Sequence, residues 1–129
     1  MKSKPKTADE KAWCERVAKF ASESVWLGKH FGNHCSDPYR FHIHHIFGAQ
    51  AKRKINYRSV KIGEYAILPI PIELHDVSSN HELNITYRKN DFIRTFQTQE
   101  FLFQNMISDM EAQAIIVPPA DIVEAIVYG

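Results

Sequence analysis

Phe41-His42-Ile43-His44-His45-Ile46-Phe47-Gly48 and Gly63-Glu64-Tyr65-Ala66-Ile67-Leu68-Pro69-Ile70-Pro71-Ile72-Glu73-Leu74-His75 bound the part of the chain whose reading decides the fold. Three histidines cluster at its front, one closes it, and His81 follows shortly after. Residues 39–46 alternate as a strand does, with Tyr39, Phe41 and Ile43 on one side and Arg40, His42 and His44 on the other. The alternation breaks at His45-Ile46, where the strand should end. Residues 65–72 are apolar and β-prone, but Pro69 and Pro71 cannot donate to a ladder. The expectation is a short strand over 65–68, then an extended entry into a helical turn around 72–76. Between the two halves, residues 48–63 read as a basic loop carrying Lys52, Arg53, Lys54, Arg58 and Lys61, with Tyr57 among the cations.

Outward from this stretch the pattern turns helical. Thr7-Ala8-Asp9-Glu10 has the form of a capping box. Behind it Trp13, Val17, Phe20, Ala21 and Val25 recur at helical spacing, predicting an amphipathic helix over 7–27 with Trp13 and Phe20 as core anchors. The basic tail 1–6 is expected to be disordered. Gly28, Gly32, Asn33, Ser36, Asp37 and Pro38 predict a loop over 28–38. From Thr86 onward Phe92 and Phe96 share one helical side. A stronger helix follows through Phe101, Leu102, Met106, Ile107 and Met110, and Pro118-Pro119 precedes a last short one with Ile122, Val123, Ile126 and Val127.

With 129 residues the chain has room for one domain with a real core, and too little for two ordinary ones. No apolar run approaches bilayer-spanning length. No apolar region follows the basic start, so a cytosolic protein is expected. Cys14 and Cys35 do not make a disulfide framework, and neither has a second cysteine at zinc-knuckle spacing. Each reads as a small buried hydrophobe, with Cys35 an outside metal candidate because His34 adjoins it. The near-zero net charge is unevenly spread. Through His75 thirteen Lys and Arg stand against seven Asp and Glu, and beyond it three stand against eight. The first part suits a phosphate partner, whereas the acidic tail suits solvent or another protein.

Neutral imidazole is a common metal ligand and also titrates near working pH. A hydrolytic metal site needs a few ligands, open positions for water and substrate, and a base for the attacking water. Adjacent histidines at a strand end can divide these roles, because successive side chains point to opposite sides. Imidazoles at the ends of a cationic insert therefore point to a metal working on a phosphodiester.

The order His44-His45-Ile46, then Glu64, Pro69 and His75, resembles the HNH or ββα-metal endonuclease superfamily. The closer resemblance is to the divergent phage and plasmid branch, which includes Ref-type recombination nucleases. The likeness covers roughly residues 35–85. It implies an α+β fold with a small ββα-metal core over 39–81, flanked by the N-terminal helix and by a helical part over 86–128. It further implies His44 and His75 as metal ligands, His45 as general base, and Glu64 in the place of the Asp or Asn that braces the site. One helical turn beyond His75 stands Ser79 rather than a ligand, which makes His81 the nearest third one. The Cys of the family's Pro-Leu-Cys element is replaced by Pro71.

On this reading a divalent metal, Mg or Mn first and Zn or Ni as alternatives, serves hydrolysis of DNA. Arg40 would hold the scissile phosphate or its neighbour, and Lys52, Arg53, Lys54 and Arg58 would contact the backbone without reading sequence. The expected function is a metal-dependent endonuclease or nickase linked to recombination, with a recombination protein or a second copy as further partners. The alternatives are a catalytically silent member of that fold that binds DNA or protein, and an unrelated small domain with a structural His-metal site.

Overall fold

A computed structural model of the chain describes residues 6–24, 26–32, 35, 37, 39–75, 82–86 and 88–129. Helix α1 (Ala8–Glu23) begins at the expected capping box. The Thr7 hydroxyl accepts from the Glu10 amide at 3.2 Å, and Glu10 Oε1 accepts from the Thr7 amide at 2.8 Å. Its buried side includes Trp13, Val17, Phe20 and Ala21, the helical stripe read from the sequence. The helix ends four residues earlier than expected. Ser24 turns extended, with both its amide and its hydroxyl bonded back to the Phe20 carbonyl. A hydroxyl competing for a backbone partner in this way stops a helix that apolar spacing alone would extend. A separate short helix α2 (Trp26–Phe31) then buries Trp26, Leu27 and Phe31, where a loop from Gly28 was expected.

Strand β1 (Phe41–His45) pairs antiparallel with β4 (Ile67–Pro71), in the register His42 opposite Ile70 and His44 opposite Leu68. β4 therefore contains both prolines, against the expectation of a strand ending at 68. The pairing explains why they are tolerated. The Ile46 amide donates to the Ala66 carbonyl at 2.9 Å, which sets the alternation so that residues 66, 68 and 70 exchange bonds with β1. Pro69 and Pro71 fall at the intervening positions, where an amide would point away from the partner strand. Helix α3 (Ile72–His75) follows β4 directly and packs on both strands.

The basic insert is a second ribbon rather than a loop. Strands β2 (Lys52–Ile55) and β3 (Arg58–Lys61) pair antiparallel. They are joined by Asn56 and Tyr57 at φ +51° and +66°, the left-handed pair that a two-residue hairpin turn needs. Neither turn residue is glycine, and lysines and arginines crowd the strands. Those two features hide the hairpin from a reading based on hydrophobic alternation.

Helices α4 (Lys89–Phe96), α5 (Gln99–Ala112) and α6 (Ala120–Tyr128) complete the chain, as the C-terminal pattern predicts. One core cluster joins α1, α2, β4 and the C-terminal helices through Trp13, Phe31, Leu68, Phe92, Phe103 and Met106. The mixture of helices and two small antiparallel sheets makes this an α+β protein. No helix among the described residues is long and apolar enough to cross a membrane.

The bend leading to β4 is built around Gly63. A Cβ placed there would overlap the carbonyl oxygens of Gly48 and Ala49, both backbone atoms with little room to yield. Gly63→Ala is expected to cost about 1–3 kcal/mol of unfolding free energy through overpacking. Urea denaturation that places the variant within error of the parent would refute this close approach.

Candidate active site

The alternation of β1 sends its histidines to opposite sides. His42 and His44 share one side with β4 residues Ile70 and Leu68. His75, at the end of α3, reaches both. Its ring lies 5.0 Å from that of His42 and 5.1 Å from that of His44, tilted by 83° and 73°. The Nδ1 atoms of His42 and His75 are 2.9 Å apart. His44 extends its Nε2 to Gln99 Oε1 at 2.9 Å. Gln99, in the first turn of α5 behind the Thr98 cap, is only 6% exposed. A bond from imidazole to an amide oxygen places the proton on Nε2 and leaves Nδ1 of His44 with the lone pair.

On the other side of β1, His45 Nε2 lies 3.1 Å from Glu64 Oε1. Glu64 is 5% exposed and His45 is 31% exposed, so a buried carboxylate holds a ring that solvent can reach. An ionised carboxylate only accepts, so this bond fixes the proton on Nε2 and makes Nδ1 the basic nitrogen. The second carboxylate oxygen is buried and lacks a hydrogen bond, with the Lys6 ammonium 3.8 Å away. Glu64 is itself positioned by its neighbour, since the Trp13 indole N–H donates to the Tyr65 carbonyl at 3.0 Å.

Burial holds the His44 pKa down to about 4, against a partly opposing bond from Gln99 and with help from the charges of His75, His45 and Lys89. This ring is thus neutral at pH 7, the form a metal requires. The sign for stability follows from linkage. The unfolded chain takes up this proton near pH 6.5 and the folded chain only near 4, so the contribution is fully present above 6.5 and is lost as pH falls towards 4. His30, lowered chiefly by burial and then by Lys29, acts in the same direction. Unfolding free energy of the metal-free protein is expected to fall across this window, and His44→Gln should flatten the slope without abolishing it. An unchanged slope in that variant would refute the assignment.

Compared with family models, with curated proteins and with solved structures, the chain matches none.

The other residues singled out in the sequence are placed as follows. Arg40 is exposed immediately before β1, without a side-chain hydrogen bond or ion pair among the described residues. Lys52, Lys54 and Arg58 are exposed on the β2–β3 ribbon, whose tip carries a fully exposed Tyr57. Arg53 is engaged elsewhere. Its guanidinium donates to the Ala125 and Gly129 carbonyls at the end of α6 and lies 4.4 Å over the Phe47 ring. His81 and Ser79 lie outside the described residues, as does His34. Burial and the Glu73 charge push the Cys35 thiol up, away from the thiolate that binds metal.

Among the described residues no group of three or more His, Cys, Asp or Glu is arranged to hold a metal ion. Two imidazole nitrogens at hydrogen-bond distance, with a third and neutral ring beside them, fit an ion that keeps most of its positions for water and substrate. Gln99 and Lys6 were not singled out by the sequence. Gln99 stands 55 positions from the histidine it holds, and only its place behind a Thr cap marks it.

Proposed function

We propose that the chain is a metal-dependent DNA endonuclease or nickase of the HNH type, with β1, β4 and α3 forming a ββα-metal core. The observation that carries the proposal is the gathering of His75 against the β1 histidines while adjacent His45 is held by Glu64. In this reading His75 and a β1 imidazole hold the ion, with His44 the partner implied by the resemblance. A bound divalent ion would polarise the phosphodiester and stabilise the leaving oxygen. His45 takes the proton of the attacking water at Nδ1, with Glu64 steadying the imidazolium that forms. Arg40 sits at the start of the same strand and supplies charge for the phosphate. Lys52, Lys54 and Arg58 track the backbone, while Arg53 fastens the ribbon to α6 rather than reaching for DNA.

The test is conversion of supercoiled plasmid to the relaxed form by the purified chain with magnesium, manganese, zinc or nickel. Nicking in at least one metal, abolished by a chelator, is expected. Its absence with all four refutes the catalytic reading. A silent, DNA-binding member of the fold is the second reading, favoured by the exposed Lys52, Lys54 and Arg58 on the ribbon. It is distinguished by a salt-dependent DNA shift without nicking.

A further inference from the structure

The alternation of β1 makes two histidines, not one, available to His75, and their bonding differs. His44 is turned to Gln99, which occupies its Nε2. His42 meets His75 nitrogen to nitrogen, Nδ1 to Nδ1 at 2.9 Å, with the two ring planes near perpendicular at 83°. Two imidazole nitrogens ligating one ion at about 2.0–2.1 Å lie about 2.9–3.4 Å apart, for angles between a right angle and the tetrahedral one. The His42–His75 separation already falls at the near end of that range. The contact is then either a hydrogen bond in which one Nδ1 carries the proton or, with that ring in its Nε2–H tautomer so that both Nδ1 atoms have lone pairs, a two-nitrogen chelate. The nitrogen separation suits both, and the rings turn to bring the two lone pairs onto one ion.

From this we infer that His42, rather than His44, is the β1 ligand that joins His75 in binding a divalent metal ion. The inference rests on the metal site proposed above and changes its membership. The nitrogen-to-nitrogen contact with the α3 imidazole is made by His42, whereas His44 packs edge-on against that ring with its Nε2 held by Gln99; His44 is assigned as the positioning residue that sets the attitude of His75. Placing the ion at His42 moves it two residues back along β1, toward the end of the strand that Arg40 precedes. A site of two imidazoles and otherwise open positions favours nickel, cobalt or zinc over magnesium, because nitrogen donors suit those ions. The remaining positions are left for water and phosphate oxygens.

Zinc titration of the unsubstituted chain, followed by long-range nitrogen-15 spectra of the imidazoles, tests this. Nδ1 of His42 and of His75 should take on the shifts of metal-bound nitrogen, while Nδ1 of His44 does not. Metal-type shifts at His44, or at no histidine, overturn the inference. Cobalt binding followed by visible absorption provides a second readout. His42→Ala and His75→Ala should each lower affinity more than 100-fold, whereas His44→Ala should cost about 10–100-fold, as expected for a residue outside the coordination shell. Circular dichroism of each variant separates ligand loss from unfolding. The two proposals fail separately. A chain that binds zinc through His42 and His75 but never nicks DNA refutes the nuclease and leaves the ligand pair. A chain that nicks DNA while zinc shifts His44 does the reverse.

Discussion

His45→Ala is expected to reduce plasmid nicking by about 10²–10⁴-fold, the range that a positioned general base contributes, and to leave DNA affinity unchanged. The expectation follows from how His45 is held. Glu64 bonds Nε2 at 3.1 Å from a buried position, and the ring keeps part of its surface open. The other nitrogen therefore carries the lone pair, on a ring that solvent partly reaches, and the role requires both. Glu64→Gln preserves an oxygen that can accept from Nε2 but removes the negative charge that steadies the imidazolium. It should lower the rate less than His45→Ala does. Glu64→Ala frees the ring as well and should approach the His45→Ala value. On the proposed reading binding is carried by the exposed cations on the ribbon, so filter or mobility assays at fixed salt should not distinguish the variants from the parent. A His45→Ala chain that nicks at the parental rate would remove His45 from the mechanism.

Trp13→Ala should produce the largest loss of stability, about 3–5 kcal/mol, as for other large aromatic truncations in a core. Trp13 is 1% exposed and belongs to the shared core cluster. Its indole N–H also donates to the Tyr65 carbonyl, so truncation leaves a cavity and a carbonyl without that partner. Trp13→Phe keeps most of the packing and loses the bond, for which about 1 kcal/mol is expected. Because Tyr65 follows Glu64, the larger change should also loosen the brace on His45 and depress nicking in the folded fraction. Denaturant unfolding by circular dichroism measures the first effect, and activity well below the transition measures the second. Equal stabilities for the two variants would mean that packing around Trp13 contributes little.

How much of this could be read beforehand depended on how locally each feature is encoded. The α1 stripe, the end of β1 at His45 and the three C-terminal helices follow from periodicity and capping within a few residues, and they were legible. The hairpin was not, because Asn56-Tyr57 makes a left-handed turn without glycine and charged side chains cover the strands. The length of β4 was misjudged because a proline's effect depends on which side of the strand its nitrogen faces, and only the pairing with β1 decides that. Of the site, the order of His44, His45, Glu64 and His75 was visible as a pattern. The contact between His42 and His75 spans 33 residues, and that between His44 and Gln99 spans 55. Those contacts depend on how α3 and α5 dock, which no short window encodes.

The prolines of β4 have a further consequence for how molecules of this chain meet one another. The edge turned away from β1 comprises positions 67, 69 and 71 and offers an N–H only at 67, so an approaching strand finds two of its three acceptors without donors. In the folded chain β4 is buried throughout; where partial unfolding uncovers it, edge-to-edge pairing between copies lacks donors at those positions. A segment as hydrophobic as Ile67–Pro71 would otherwise be a liability in a crowded, partly folded population. The same two residues that obscure the strand in the sequence protect the chain from aggregating through it.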